Sequence, residues 1–178
     1  EGILAYISNN SFIDGIIHRQ MRKSLLETFD KIYILDLHGN SRKNEVCPDG
    51  SKDENVFDIM QGVSINLFVK TNQKRKNQLA EVYHYDLYGK RESKYEFLAN
   101  NSLSSISFGL VAYEGDNYFF TPKNFDNQNC YDKGFSIDSL FNVSTSGVKT
   151  HHDNELVSLM PFNTEFNNLY SYRPFVVR

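Results

Sequence analysis

The strongest constraint on the fold lies at the start of the sequence, where two apolar runs flank one helical period. Residues 3–7 (ILAYI) and 32–37 (IYILDL) are nearly continuous apolar runs, as expected of strands covered on both faces, usually in a parallel sheet. Between them Ile13, Ile17, Met21, Leu25 and Phe29, with Ile16 beside them, recur every three or four residues. That spacing predicts an amphipathic helix opened by Asp14 or Gly15 and running to about Phe29, with His18, Arg19, Arg22 and Lys23 mostly on its polar side. Strand, helix and strand with short joins form a βαβ unit.

The next segment breaks that alternation. Residues 41–58 are polar and carry Pro48-Asp49-Gly50, a turn signal. After them Val63, Ile65, Leu67 and Val69 alternate with Ser64, Asn66 and Phe68, the period of a strand with one face buried. No helix intervenes, so this strand is expected to return antiparallel beside its predecessor. A basic turn (Lys70, Lys74, Arg75, Lys76) leads to a further strand at 81–88. Residues 90–101 suit a short helix, and aromatic strands are expected at 106–113 and 118–121. The fold class is therefore α/β. A change in composition between residues 88 and 102 sets two parts, 1–88 and an irregular, mixed α+β part at 89–178 rich in Asn, Phe and Tyr; no internal repeat stands out.

Bulk properties narrow the function classes. Of the 178 residues 40% are hydrophobic, enough for a real core, and the net charge of −3 argues against binding polyanions through bulk charge alone. Two cysteines, Cys47 and Cys130, without metal-type spacing fit a reducing compartment, so a cytoplasmic location is expected. No apolar run approaches the ~20 residues that span a bilayer, so no membrane partner is expected. The chain starts at Glu1 and opens directly into an apolar strand, which reads as a piece of a longer protein.

Several chemistries find no pattern here. Asp36 and His38, or His151-His152-Asp153, do not repeat at the spacing of a zinc site, so no metal is expected. There is no nucleophile elbow, and Ser8, Ser11 and Ser64 have no recognisable partner base. Neither a dinucleotide fingerprint nor a phosphate loop is present among the ten glycines. Two segments stand out instead. Asn9-Asn10-Ser11-Phe12 follows the carboxyl end of a buried strand, where open α/β sheets place ligands; a capping turn explains it equally well. Val56 and Phe57 are apolar residues in a loop full of charge, and Phe57 is either a lid over a local core or a platform for a flat ligand such as a base.

Four stretches, in this order, resemble the second half of an adenine-specific DNA methyltransferase, as found in type IIG and type ISP restriction–modification enzymes and their solitary relatives. EGILAYISNNSFIDG followed by MRKSLLETFDKIYILDLHGN resembles the strand–helix–strand after the catalytic motif, and NVFDIMQGVSINLFV resembles motif VIII. IDSLFNVSTSGVKTHHD resembles the start of the target-recognition region, and YSYRPFVVR a stretch of type ISP enzymes. The resemblance implies the second half of a Rossmann-like class I methyltransferase sheet, then the start of a target-recognition region. It implies that Phe57 stacks on an adenine flipped out of double-stranded DNA. It also implies that Asn9, Asn10, Ser11 and Phe12 neighbour S-adenosylmethionine, and that Gly147, Val148, Lys149, Thr150 and His151 lie in or near the DNA-facing surface, Lys149 suiting a phosphate contact.

The family's cofactor-binding glycine loop and its Asn/Asp-Pro-Pro-aromatic motif are expected upstream of Glu1, since none of the four prolines are adjacent. By itself, then, the chain is expected to be inactive, and nuclease or helicase domains of the parent protein are not legible in it. The loop before Asn55 is longer and more charged than a minimal motif VIII hairpin. The rival reading is a non-catalytic module that binds nucleic acid or protein.

Overall fold

The computed structural model describes residues 1–71, 73–75, 77–112, 115–135 and 137–140. It divides into two units, Glu1–Asn127 and Gln128–Arg178. In the first, strands β1 (Gly2–Asn9), β2 (Lys31–Asp36), β3 (Val63–Lys70), β4 (Glu81–Asp86) and β5 (Gly109–Leu110) form one mixed sheet in the order β1-β3-β2-β4-β5. β3 returns antiparallel to β2 and inserts between β2 and β1, pairing antiparallel with both. The two strands of the βαβ unit thus run in the same direction without touching. β4 lies parallel to β2 on its other side, with Asp36 opposite Asp86. β1, β2 and β4 therefore all end on one edge of the sheet.

Insertion of β3 changes which residues are buried. As a central strand it is covered on both faces, and its polar alternation carries the more deeply buried side chains: Ser64, Asn66 and Phe68 are fully buried, whereas Ile65, Leu67 and Val69 are half-buried. Ser64 and Asn66 are satisfied by bonding each other and Ser8, through Ser64 Oγ to Asn66 Oδ1 at 3.0 Å and Asn66 Nδ2 to Ser8 Oγ at 3.2 Å. β1, by contrast, is not covered on both faces. It forms one edge of the sheet, and Ile3, Leu4 and Ile7 are exposed.

The helical segment is broken into three. Helix α1 (Ser11–Asp14) and a 3₁₀ turn (Ile16–His18) precede α2 (Arg19–Thr28). The break turns the apolar stripe: Ile13 is buried, but Ile16 and Ile17 are exposed. Arg22, expected on the polar side, is fully buried. Its guanidinium donates to Phe12 O (2.6 Å) and Gly15 O (2.7 Å), at the break in the helix, and to Asn117 O (2.6 Å) of a distant segment. Leu26, Phe12, Ile13 and Phe120 pack on one face of the sheet over Ile32, Ile34, Phe68 and Val82.

The opposite face is covered by α3 (Arg91–Asn100), whose Phe97 and Leu98 pack with Leu35, Leu37, Val63 and Leu87. The expected strand at 106–113 shrinks to the two residues of β5, and 118–121 forms no strand. Phe108 instead meets the rings of Tyr33 and Tyr85, and Phe120 closes the core against Phe12. The second unit contains two short helices, α4 (Gln128–Asp132) and α5 (Ile137–Leu140), within its described residues. Cys47 is buried and Cys130 exposed, and both are free thiols. Among the described residues no helix is long and apolar enough to cross a membrane.

Candidate functional site at the carboxyl edge of the sheet

Strands β2 and β4 end in the same way, Asp-Leu-aromatic-Gly: Asp36-Leu37-His38-Gly39 and Asp86-Leu87-Tyr88-Gly89. Because the strands are parallel and in register, the two endings lie side by side. Leu37 and Leu87 enter the same core, and the His38 and Tyr88 rings stack at 3.8 Å. The glycines take positive φ, +82° at Gly39 and +131° at Gly89, which turns both chains away from the sheet.

The loop bearing Phe57 is fastened to these two endings. Asp53 Oδ1 accepts from Gly89 N (2.8 Å) and from Lys94 Nζ (2.7 Å), an ion pair with both side chains fully buried. Lys94 also donates to Leu37 O and Glu54 O, each at 2.7 Å, so one ammonium ties β2, α3 and the loop together. Asn55 Nδ2 donates to Gly39 O (3.1 Å) and Gln61 O (2.6 Å), and Asn55 Oδ1 accepts from Phe57 N (2.9 Å). The Asn55 backbone crosses Gly39 so closely that a Cβ there would collide with Asn55 Cα. From α3, Arg91 Nε donates to Asn55 O (2.8 Å), Arg91 pairs with Asp58 (2.7 Å), and Tyr95 OH donates to Val56 O (2.5 Å).

The adjacent apolar residues Val56 and Phe57 of this loop are placed in opposite ways. Val56, 3% exposed, plugs the core under α3; Phe57, 42% exposed, does not. Phe57, Ile59 and Met60, all exposed, line an open cavity of about 530 Å³ together with Asn55, Asp58 and Arg91. The arrangement offers an aromatic face on a fixed backbone, with an amide and a guanidinium beside it.

The Asn9–Phe12 segment is placed differently. Asn9 Oδ1 accepts from Ser11 N (2.7 Å) and from the Ser11 hydroxyl, closing a turn on itself. Asn10 Nδ2 donates to Asp36 Oδ1 (2.9 Å), and Asn10 N to Gly62 O (3.0 Å). Phe12 is buried in the core. Asn9 and Ser11 are the exposed members. Gly147, Val148, Lys149, Thr150 and His151 lie outside the described residues.

Between these two segments lies a polar cluster that residue spacing did not reveal. His38 is buried, and both its ring nitrogens meet carboxylates: Nδ1 lies 2.9 Å from Glu45 Oε1 and Nε2 2.8 Å from Asp86 Oδ1. Burial alone would lower its pKa, but these hydrogen bonds and the charge of Asp36 outweigh it and push it up to about 9, so His38 is an imidazolium at neutral pH. The repeated Asp-Leu-aromatic-Gly was the signal available in the sequence.

No family model matches the chain, and no curated protein matches it. Solved structures do. The chain is similar to a chain of the DrdV–DNA complex determined by cryo-electron microscopy, at 27% identity and a TM-score of 0.55, over 66% of this chain and 11% of that one. It is similar to the ATP-dependent Type ISP restriction-modification enzyme LlaBIII bound to DNA, at 32% identity and a TM-score of 0.59, over 72% of this chain and 9% of that one. It shares its fold with a nuclease-deletion mutant of the Type ISP enzyme LlaGI in complex with a DNA substrate mimic, at 24% identity and a TM-score of 0.58, over 72% of this chain and 12% of that one. The chain thus spans about a tenth of the length of the chains it matches.

Proposed function

We propose that this chain is part of a site-specific DNA adenine methyltransferase of a restriction–modification system, in which it supplies the surface that receives an extruded adenine. The observation that carries this reading is Phe57, exposed on a loop whose backbone is fixed from three sides. The likeness to LlaBIII, a Type ISP enzyme bound to DNA, at 32% identity adds to it. The amino group of adenine is engaged in a base pair, so methylation requires the base to leave the stack. Phe57 then offers a π-face to the extruded ring, a contact of about 1–3 kcal/mol. A fixed platform holds the base without an ordering cost at the moment of reaction. Residues 147–151 are proposed to lie in or near the DNA-facing surface.

S-adenosylmethionine would supply the methyl group. The residues proposed to neighbour it, Asn9 to Phe12, fit a supporting wall better than a set of direct ligands. Asn9 and Ser11 bond each other, Asn10 holds Asp36, and Phe12 is packed in the core. Their contribution is to fix the edge against which the donor rests.

In the full-length protein carrying this chain, Phe57→Ala is expected to lower kcat/KM for adenine methylation about 5- to 150-fold, the kinetic equivalent of one lost stack. Phe57→Trp is expected to keep most of it. Equal rates for Phe57→Ala and the parent protein would remove the stacking role. Failure of the parent protein to transfer labelled methyl to adenine would remove the methyltransferase reading and favour a binding module.

A further inference from the structure

The face of the sheet that packs under α2 changes character along its strands. At one end lie Ile32, Val82 and Phe68; two and four residues on, the same face carries Asp36, His84 and Asp86. These three side chains border a cavity of about 280 Å³ at the carboxyl edge. We propose that Asp36, His84 and Asp86 form a binding site for a divalent transition-metal cation of the Zn²⁺ or Mn²⁺ class.

One donor atom from each of the three lies within 4.8 Å of the others. The carboxylates are already oriented by neighbours, each through one oxygen. Asp36 Oδ1 accepts from Asn10 Nδ2 (2.9 Å) and His38 N (3.0 Å), while its Oδ2 lies 3.9 Å from His38 Nδ1. Asp86 Oδ1 is held by His38 Nε2 (2.8 Å), and its Oδ2 stands 3.6 Å from His84 Nδ1. Carboxylates fixed by hydrogen bonds from a second layer are characteristic of built metal sites.

His84 supplies the independent observation. Its side chain is 2% exposed, it borders the cavity, and its Nε2 has no hydrogen-bond partner among the described residues. Of the nearby cations, Lys123 pairs with Asp14 at 3.3 Å, whereas His38 bonds Glu45 and Asp86 itself, so a bound metal would share the Asp86 carboxylate with it.

A mixed imidazole and carboxylate donor set suits Zn²⁺ or Mn²⁺ better than Mg²⁺. Bonds of about 2.1 Å require donors no more than about 4.2 Å apart, so the site contracts by some tenths of an ångström on binding. Asp86 is the exposed ligand, at the cavity mouth. Three protein donors leave coordination positions for water or a further ligand. The proposal stands independently of the methyltransferase reading.

Calorimetric titration of the chelator-stripped, desalted protein with ZnCl₂ and with MnCl₂ tests it. One equivalent of at least one of the two is expected to bind, with affinity reduced at least about tenfold by Asp86→Asn, whose amide oxygen still accepts from His38. His84→Asn is expected to abolish binding while circular dichroism stays native; if that variant fails to fold, Asp86→Asn alone decides. No saturable binding of either metal would overturn the proposal. So would binding that Asp86→Asn leaves unchanged, as coordination by His151-His152 would give.

Discussion

The turn at residues 9–12 and the loop at residues 53–60 lie at the same edge of the sheet and are built in opposite ways. The turn commits its side chains to the fold: Asn9 to Ser11, Asn10 to Asp36, Phe12 to the core. The loop is held by its neighbours instead. Val56, Asn55 and Asp53 are pinned by Tyr95, Arg91, Gly39 and Lys94, which leaves Phe57 uncommitted. A residue kept out of the core by so many converging contacts is a better functional candidate than one whose own contacts already account for it.

The contrast predicts a graded set of mutational effects. The largest is expected at Lys94: Lys94→Ala leaves Asp53 buried without its partner and should cost about 3–5 kcal/mol of stability in denaturant titration. Phe12→Ala should cost a similar amount, about 3–5 kcal/mol, because it opens a cavity against Phe120. An effect under about 1 kcal/mol at Phe12 would make that residue a candidate ligand contact again.

The next effect depends on pH. His38 has a folded-state pKa of about 9 against an ordinary value of 6.5, so the folded protein binds the extra proton between these limits. The stabilisation, about 3 kcal/mol, is fully present below pH 6.5 and is lost as pH rises through about 9. His38→Gln should flatten that part of the stability profile. Gly39→Ala should cost about 1–2 kcal/mol or more, since it meets both a positive φ and the Asn55 backbone, and should loosen the Phe57 loop without touching the turn. The smallest effect on stability belongs to Phe57→Ala, within about 0.5 kcal/mol, as for an exposed side chain.

How much of the molecule was legible in its sequence depends on what each element rests on. β2 and β3 were readable because an apolar run and a strict alternation are local signals, and the antiparallel return of β3 came from the missing crossover helix. The direction of burial in β3 was not readable: Ser64 and Asn66 are buried because β3 lies between β1 and β2, a tertiary fact. Arg22 is buried for a similar reason, since the carbonyls it serves come from Phe12, Gly15 and the distant Asn117. At the candidate site, the exposed aromatic was visible as an anomaly, apolar in a charged loop. Its supports were not, because Asp53 and Lys94 look like ordinary surface charges until the fold brings them together. The paired Asp-Leu-aromatic-Gly endings are plain in the sequence, but their meaning needs the parallel register of β2 and β4.

The central claim is that Phe57 is a platform for an extruded adenine, and the fluorescence of 2-aminopurine placed at the target position of DNA tests it most directly. An aromatic platform is expected to quench the extruded base in the complex with the full-length protein, and Phe57→Ala to raise the emission while DNA affinity changes little. Identical emission from the parent protein and Phe57→Ala would contradict the claim.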